Sequence, residues 1–281
     1  MYTAYNFVFE VINLFISVLK VLFLNKDVWI NVWANFLAIG GGYIFIVFFK
    51  KRNLIKFFGF DKQKKLSIFL STLYIPSMAS FTHAGLRMRY EGAAIPEYEH
   101  QVIPIFSNLF SLITTGDGIF KTMANRFLLG DVDIDYLNAP KDFNKISFHN
   151  FICVGGPSAN QVTNHYMSSE FAYLGFNSVT SGVEIKKGKG KGRQLGLSNQ
   201  HDDYGIVEKI IDKKNNSIVF ITAGGNIGAT KGCAFYLAKN WRSLQRRYGS
   251  KGFAICIKVP QHFVDPQGYA NAQVVFQTAK K

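Results

Sequence analysis

Residues 28–49 read VWINVWANFLAIGGGYIFIVFF, 22 positions without a charged side chain. At about 1.5 Å per residue, a helix of that length covers a hydrocarbon core of about 30 Å. The run predicts a transmembrane helix, and a spanning helix constrains every other part of the chain. Trp29 and Trp33 sit near one end, where indoles favour a membrane interface. Lys50, Lys51, Arg52 and Lys56 follow the other end, which predicts that it faces the cytoplasm. Residues 5–24 are also apolar but carry Glu10 and Lys20. They read as a second spanning helix, with Lys20 snorkelling to the interface, or as an amphipathic helix lying in that interface. The spanning form is favoured because both charges lie near the ends. Asn25, Lys26 and Asp27 then make the tight outer turn of a hairpin with both termini cytoplasmic. A cleaved signal peptide fits poorly, since the first stretch lacks a basic amino-terminal region and a small-residue cleavage site. Gly40, Gly41 and Gly42 allow helices to approach closely, and Asn31 and Asn35 can hydrogen-bond between them. Self-association through this face and simple tolerance within the hairpin are equally good readings.

The expected organisation is a transmembrane hairpin at 1–50, a basic juxtamembrane linker at 51–65 and one cytoplasmic α/β domain at 66–281. In the linker, Phe57, Phe58 and Phe60 are placed to enter the interface while the lysines meet anionic headgroups. Downstream, the runs LSIFLSTL, SFHNFICV, SIVFIT and FAICIKV have strand character and alternate with helical periodicity. The longest helical pattern covers residues 233–248, with Phe235, Leu237, Ala238, Trp241 and Leu244 on one side and Lys239, Arg242, Arg246 and Arg247 on the other. Continuous apolar strands between helices predict a mainly parallel sheet with helices on both faces. Residues 75–99 read as a long loop, and LGDVDIDYLNAP as an acidic turn.

Charge narrows the partners. A formal net charge of +14 favours anions, whether nucleic acid, nucleotide or the acidic face of a membrane. Cys153, Cys233 and Cys256 lie singly in apolar runs, without a paired cysteine or a histidine at ligand spacing, and read as buried thiols.

Two segments share one design: ICVGGPSANQVT and FITAGGNIGATKG each run from a strand through a double glycine and a polar turn into a helix. Glycine permits positive φ and leaves room near the backbone, and the following helix offers free N–H groups to an anion. The candidate ligand-binding residues are therefore Gly155, Gly156, Ser158, Asn160 and Thr163 in the first loop, and Gly224, Gly225, Asn226, Thr230 and Lys231 in the second. Neither loop spells GxGxxG or GxxxxGK[ST], and a single strand-glycine-helix junction is more often a plain turn. Two of them in one sheet can converge on a crevice at the carboxyl edge of parallel strands.

Other candidates are weighed against plainer readings. Arg87 and Arg89, two apart in a loop after the first strand, suit phosphate or carboxylate binding, or form local ion pairs. IKKGKGKGR (185–193) is a flexible basic loop able to close over a polyanion, or a solvated hairpin tip. His201, Asp202 and Asp203 are adjacent, so a regular strand would point them to opposite faces, which disfavours a shared metal. Asp131, Asp133 and Asp135 alternate and would share a face if extended, although a solvated acidic loop is the simpler reading. No G-x-S-x-G elbow, HExxH or paired cysteine and histidine is present. No metal and no cofactor is expected.

The GGPxxN loop, the DYG triplet at 203–205 and the AGGxxGxT loop before a tryptophan-containing helix resemble a Rossmann-like domain of bacterial proteins. Together with the hairpin layout, the chain resembles membrane-anchored effectors of bacterial antiphage nucleotide signalling, whose soluble part is of SLOG, TIR or SAVED type. The resemblance implies a nucleotide-like small-molecule partner, an inner-membrane location, homo-oligomerisation and no duplex nucleic acid. The TIR-type catalytic glutamate has no counterpart here, so NAD cleavage is not implied. The resulting expectation is a membrane-anchored sensor whose ligand alters assembly of its transmembrane helices. The alternatives are a nucleotide or nucleoside hydrolase or transferase using Asp131, Asp133, His201, Asp202 or Asp203, and a membrane scaffold without a small ligand.

Overall fold

The computed structural model describes residues 49–60, 65–71, 73–75, 80–83, 86–89, 92–94, 101–111, 113, 133–138, 150–177, 180, 182–261, 265 and 267–279, with 13, 17, 31, 34 and 35 before them. The chain divides into two compact units, Met1–Lys51 and Arg52–Lys281. In the first, Asn13, Ser17, Asn31, Ala34 and Asn35 are helical and exposed. Ser17 Oγ donates to Asn13 O (2.6 Å), the back-bond a serine makes within a helix.

The expected hairpin at residues 5–24 and 28–49 falls almost wholly outside the described residues. Among those described, no helix is long and apolar enough to cross a membrane. Among the described residues the helix of sufficient length, 22 residues, carries Lys231, Lys239, Arg242, Arg246 and Arg247 and is too charged to do so. The transmembrane hairpin and the inner-membrane placement are corrected accordingly.

The second unit is built on a seven-stranded sheet. Its strands are β1 (Lys65–Leu70), β6 (Asp133–Asn138), β7 (Phe151–Val154), β11 (Asp202–Asp212), β12 (Ser217–Gly224), β13 (Phe253–Pro260) and β14 (Gln273–Ala279), in the order β14-β13-β11-β12-β7-β1-β6. The pairs β12–β7, β7–β1 and β1–β6 are parallel, whereas β14–β13, β13–β11 and β11–β12 are antiparallel. The sheet is therefore mixed, which corrects the mainly parallel expectation. Its cause is local: β11 and β12 are joined only by residues 213–216, with Asn216 at φ 50°, and so short a link can join only antiparallel neighbours.

Every residue of β7 is buried, as are nearly all of β12, because both faces of the sheet are covered. On one face lie α1 (Ile103–Phe110), α3 (Ile227–Tyr248) and helical residues 52–58. Here Phe57 and Phe58 meet Phe220 at ring-centroid distances of 5.2 and 4.9 Å, and Phe58 meets Phe110 edge-on at 5.0 Å. Phe57 and Phe58 are 1% and 0% exposed, so the aromatic pair expected at a membrane interface belongs to the core. Lys209 is buried among them, its Nζ 4.9 Å from the Phe57 ring centroid and donating to Gly249 O (3.3 Å) at the end of α3.

The opposite face holds α2 (Gln161–Ser168) and a small sheet of β8 (Leu174–Phe176), β9 (Val183–Ile185) and β10 (Gln194–Gly196). Val162, Tyr166 and Met167 of α2 pack with Phe151, Cys153, Ile206 and Ile221. Glu208, fully buried, ties β8 to the large sheet by accepting from the Tyr173 and Leu174 amides.

Two other segments differ from expectation. The long loop forms two antiparallel ribbons, β2 (Leu73–Ile75) with β5 (Gly92–Ala94), and β3 (Ser80–His83) with β4 (Leu86–Arg89). Residues 133–138, read as a turn, are an edge strand whose alternating pattern aligns it with β1. Residues 119–129, whose apolar spacing predicts a helix, lie outside the described residues.

Candidate functional site

The two glycine loops leave the sheet side by side. Parallel β7 and β12 are direct neighbours, with Val154 at the end of β7 paired to Thr222, two residues before the end of β12. Gly155 N then donates to Thr222 O (3.0 Å). A Cβ added to Gly156 would lie 3.1 Å from Gly224 O, so a side chain there would press on the second loop. Beyond the loops the chain diverges: α2 packs on the Val219 and Ile221 face, and α3 on the Phe220 face. In α/β sheets, a crevice opens outside the carboxyl ends of the strands where consecutive crossovers go to opposite faces. Here that point is the junction of the two loops.

The side chains of these loops mostly hold the backbone in place. Asn160 and Asn226 are the N-caps of α2 and α3, accepting from Thr163 N (3.0 Å) and Ala229 N (3.1 Å). Asn160 is fully buried and its Nδ2 also donates to Phe69 O (3.1 Å) and Val154 O (2.8 Å), joining β1, β7 and α2. Thr230 Oγ1 donates to Asn226 O and accepts from Gly224 N. Thr163 is buried beside the Cys153 thiol. Lys231 is buried, donates to Gln101 Oε1 and has its pKa lowered by burial. Gly155 takes φ 107°, and a Cβ on Gly224 would meet Thr230 N at 2.3 Å, so α3 begins hard against its strand. That leaves Gly156, Ser158, Gly225 and Asn226 at least partly exposed at the crevice. Because each capping asparagine satisfies the third amide of its helix, the earlier amides, at 161–162 and 227–228, are the donors left for a ligand.

Arg87 and Arg89 fall in β4, in a ribbon separate from the large sheet. The basic segment 187–193 is the exposed tip between β9 and β10, with Gly188, Gly190 and Gly192 at φ 76°, 92° and 82°, while Lys186 is half-buried and donates to Met167 O. Asp202 forms an ion pair with Lys258 (2.7 Å), and His201 is exposed. Asp133 and Asp135 lie on β6, whose first residue aligns with Lys65 at the start of β1, the sheet edge opposite the glycine loops. Asp131 is outside the described residues. Among the described residues no three His, Cys, Asp or Glu side chains group to hold a metal. The three thiols are free and buried; burial pushes Cys256 up to about 12 and raises Cys153 and Cys233 as well.

Residues 203–205, the DYG triplet of the sequence pattern, carry no local signal that pairs them with the second glycine loop. Since β11 runs antiparallel to β12, its first residues reach the same edge, with Gly205 opposite Gly224 and Gly225 N donating to Tyr204 O (3.2 Å). A Cβ on Gly205 would stand 2.4 Å from Cys233 Sγ, which explains the glycine of the DYG triplet: α3 needs the room. The signal for this was the apolar run after that triplet, which marks a strand beginning there.

A separate groove of about 660 Å³ lies over α1 and α3, lined by Ile105, Leu109, Phe235, Lys239 and Tyr269 among others. It contains neither glycine loop, and the convergent backbone donors are at the sheet edge. Comparison with protein-family models, curated proteins and solved structures finds no match.

Proposed function

We propose that this chain binds a nucleotide-like anionic ligand in the crevice between residues 155–158 and 224–226. The reading is carried by one observation: two glycine loops on adjacent parallel strands touch, Gly156 against Gly224 O, where α2 and α3 depart to opposite faces. Both helices begin there, so their early amides and the positive ends of their dipoles offer anion-binding groups. The net charge of +14 adds long-range attraction. A hydrolase or transferase reading gains less, because Asp202 is tied to Lys258 and Asp133 stands at the opposite sheet edge.

The test is a thermal-shift titration of the full chain with inorganic phosphate and nucleoside mono-, di- and triphosphates. The proposal expects a saturable rise in Tm. Ser158→Glu, an exposed substitution that brings a negative charge to the loop, should weaken binding about tenfold or more while the unliganded Tm changes little. No stabilisation by any phosphate compound would remove the proposal.

A further inference from the structure

The two sides of the crevice differ in charge. Residues 155–160 carry no ionisable side chain. The other side is bordered by Asp203, whose carboxyl is fully buried next to the Gly225 and Asn226 loop. Asp203 shares with Gly205 the sheet face that α3 covers, since residues two apart on a strand point the same way. Its Oδ1 accepts from Ser198 Oγ and from Tyr204 N (2.9 Å). Its Oδ2 is buried without a hydrogen-bond partner among the described residues. The Asn226 amide is near enough to favour the charged form, although burial raises the pKa more strongly.

A buried carboxylate oxygen without a donor is costly, and it marks a place where a donor belongs. An anion placed beside that carboxylate would be repelled, whereas an anion over residues 155–158 meets only neutral donors. Resting on the proposed binding function, we infer that the crevice takes a two-ended ligand, a phosphorylated sugar. Its phosphate lies on the side of Gly155, Gly156 and Ser158, and a sugar hydroxyl donates to Asp203 Oδ2 beside Gly225 and Asn226. Asp203 is then the residue that selects for the hydroxyl. Reaching it requires the 225–226 loop to shift outward on binding, because Asp203 is closed off from solvent as it stands.

Calorimetric titration of the full chain with inorganic phosphate, adenosine 5′-monophosphate and 2′,3′-dideoxyadenosine 5′-monophosphate decides this. Wild-type protein should prefer the ribonucleotide to the dideoxy compound by about tenfold or more, as sites built to bond a hydroxyl reject analogues that lack it. In Asp203→Asn the preference should fall to about twofold or less. Equal affinity of the wild type for the two nucleotides overturns the inference while leaving the binding proposal standing, as does an Asp203→Asn variant that keeps the preference. If none of the three compounds binds, the proposal and the inference fall together. The wild-type comparison decides the matter even if Asp203→Asn does not fold.

Discussion

Asn160→Ala offers the sharpest test of how the crevice is built. The asparagine is 0% exposed and makes three hydrogen bonds: it caps α2 at Thr163 N, and its Nδ2 reaches Phe69 O and Val154 O. Loss of a cap costs about 1 kcal/mol, and each buried group left unpaired costs about 1–3 kcal/mol. Val154 O keeps a second donor in Ser71 Oγ (3.3 Å), and Phe69 O lies in the parallel ladder with β7, so the newly orphaned group is chiefly Thr163 N–H. The expected loss is on the order of 2–3 kcal/mol, one cap and two buried hydrogen bonds, read as the drop in unfolding free energy of the full chain in urea. Asn160→Asp separates the parts: it keeps the cap acceptor but turns a carboxylate oxygen toward two carbonyls, which raises the folded-state pKa of the new acid. Relative to wild type, its deficit should therefore shrink as pH falls through that raised pKa, because the protonated acid can donate. A loss below about 1 kcal/mol for Asn160→Ala would refute the role given to this side chain.

Gly205→Ala places a methyl 2.4 Å from Cys233 Sγ and 3.0 Å from Ala223 O, and should cost about 1–3 kcal/mol of unfolding free energy. The paired change Gly205→Ala with Cys233→Ala should recover part of it, since the sulfur is the nearer obstacle. Burial lowers the folded pKa of Lys209 to about 8, so between pH 8 and its unfolded value the unfolded chain binds more protons. Stability contributed by this group should rise with pH across that window, by on the order of 3 kcal/mol at most, and be flat below it. Lys209→Met should remove that slope in urea titrations between pH 7.5 and pH 10.5, and an unchanged slope would refute the assignment.

Much of the core was legible because it rests on continuous apolar runs: FICV, SIVFIT and FAICIKV are β7, most of β12 and β13. The helix after Cys233 was legible from its apolar stripe, but its true start at Ile227 was not. Its first turn is Gly- and Ala-rich and packs by closeness rather than by large side chains. Strand order was not legible either, because pairing depends on contacts between distant segments: a short turn at 213–216 reverses β11 and makes the sheet mixed. β6 and β14 were missed because edge strands need only one covered face and tolerate Asp133, Asp135, Gln273 and Gln277. Phe57 and Phe58 beside a lysine-rich stretch carry the same local pattern whether they face lipid or a protein core; only Phe220, Phe110 and Trp241 decide it. At the candidate site the glycines and asparagines were found by spacing. That Asn160, Thr230 and Lys231 turn inward was not visible, since a capping or buried polar side chain and a ligand-binding one are the same residue types.

The central claim is that the two glycine loops form one ligand crevice. Amide chemical shifts of the full ¹⁵N-labelled chain, followed during titration with adenosine 5′-monophosphate, test it most directly. The account predicts that residues 155–162 and 224–228 shift together along one binding curve, with the tip at 187–193 unaffected. Shifts confined to one loop, or to the groove around Phe235 and Tyr269, would contradict it.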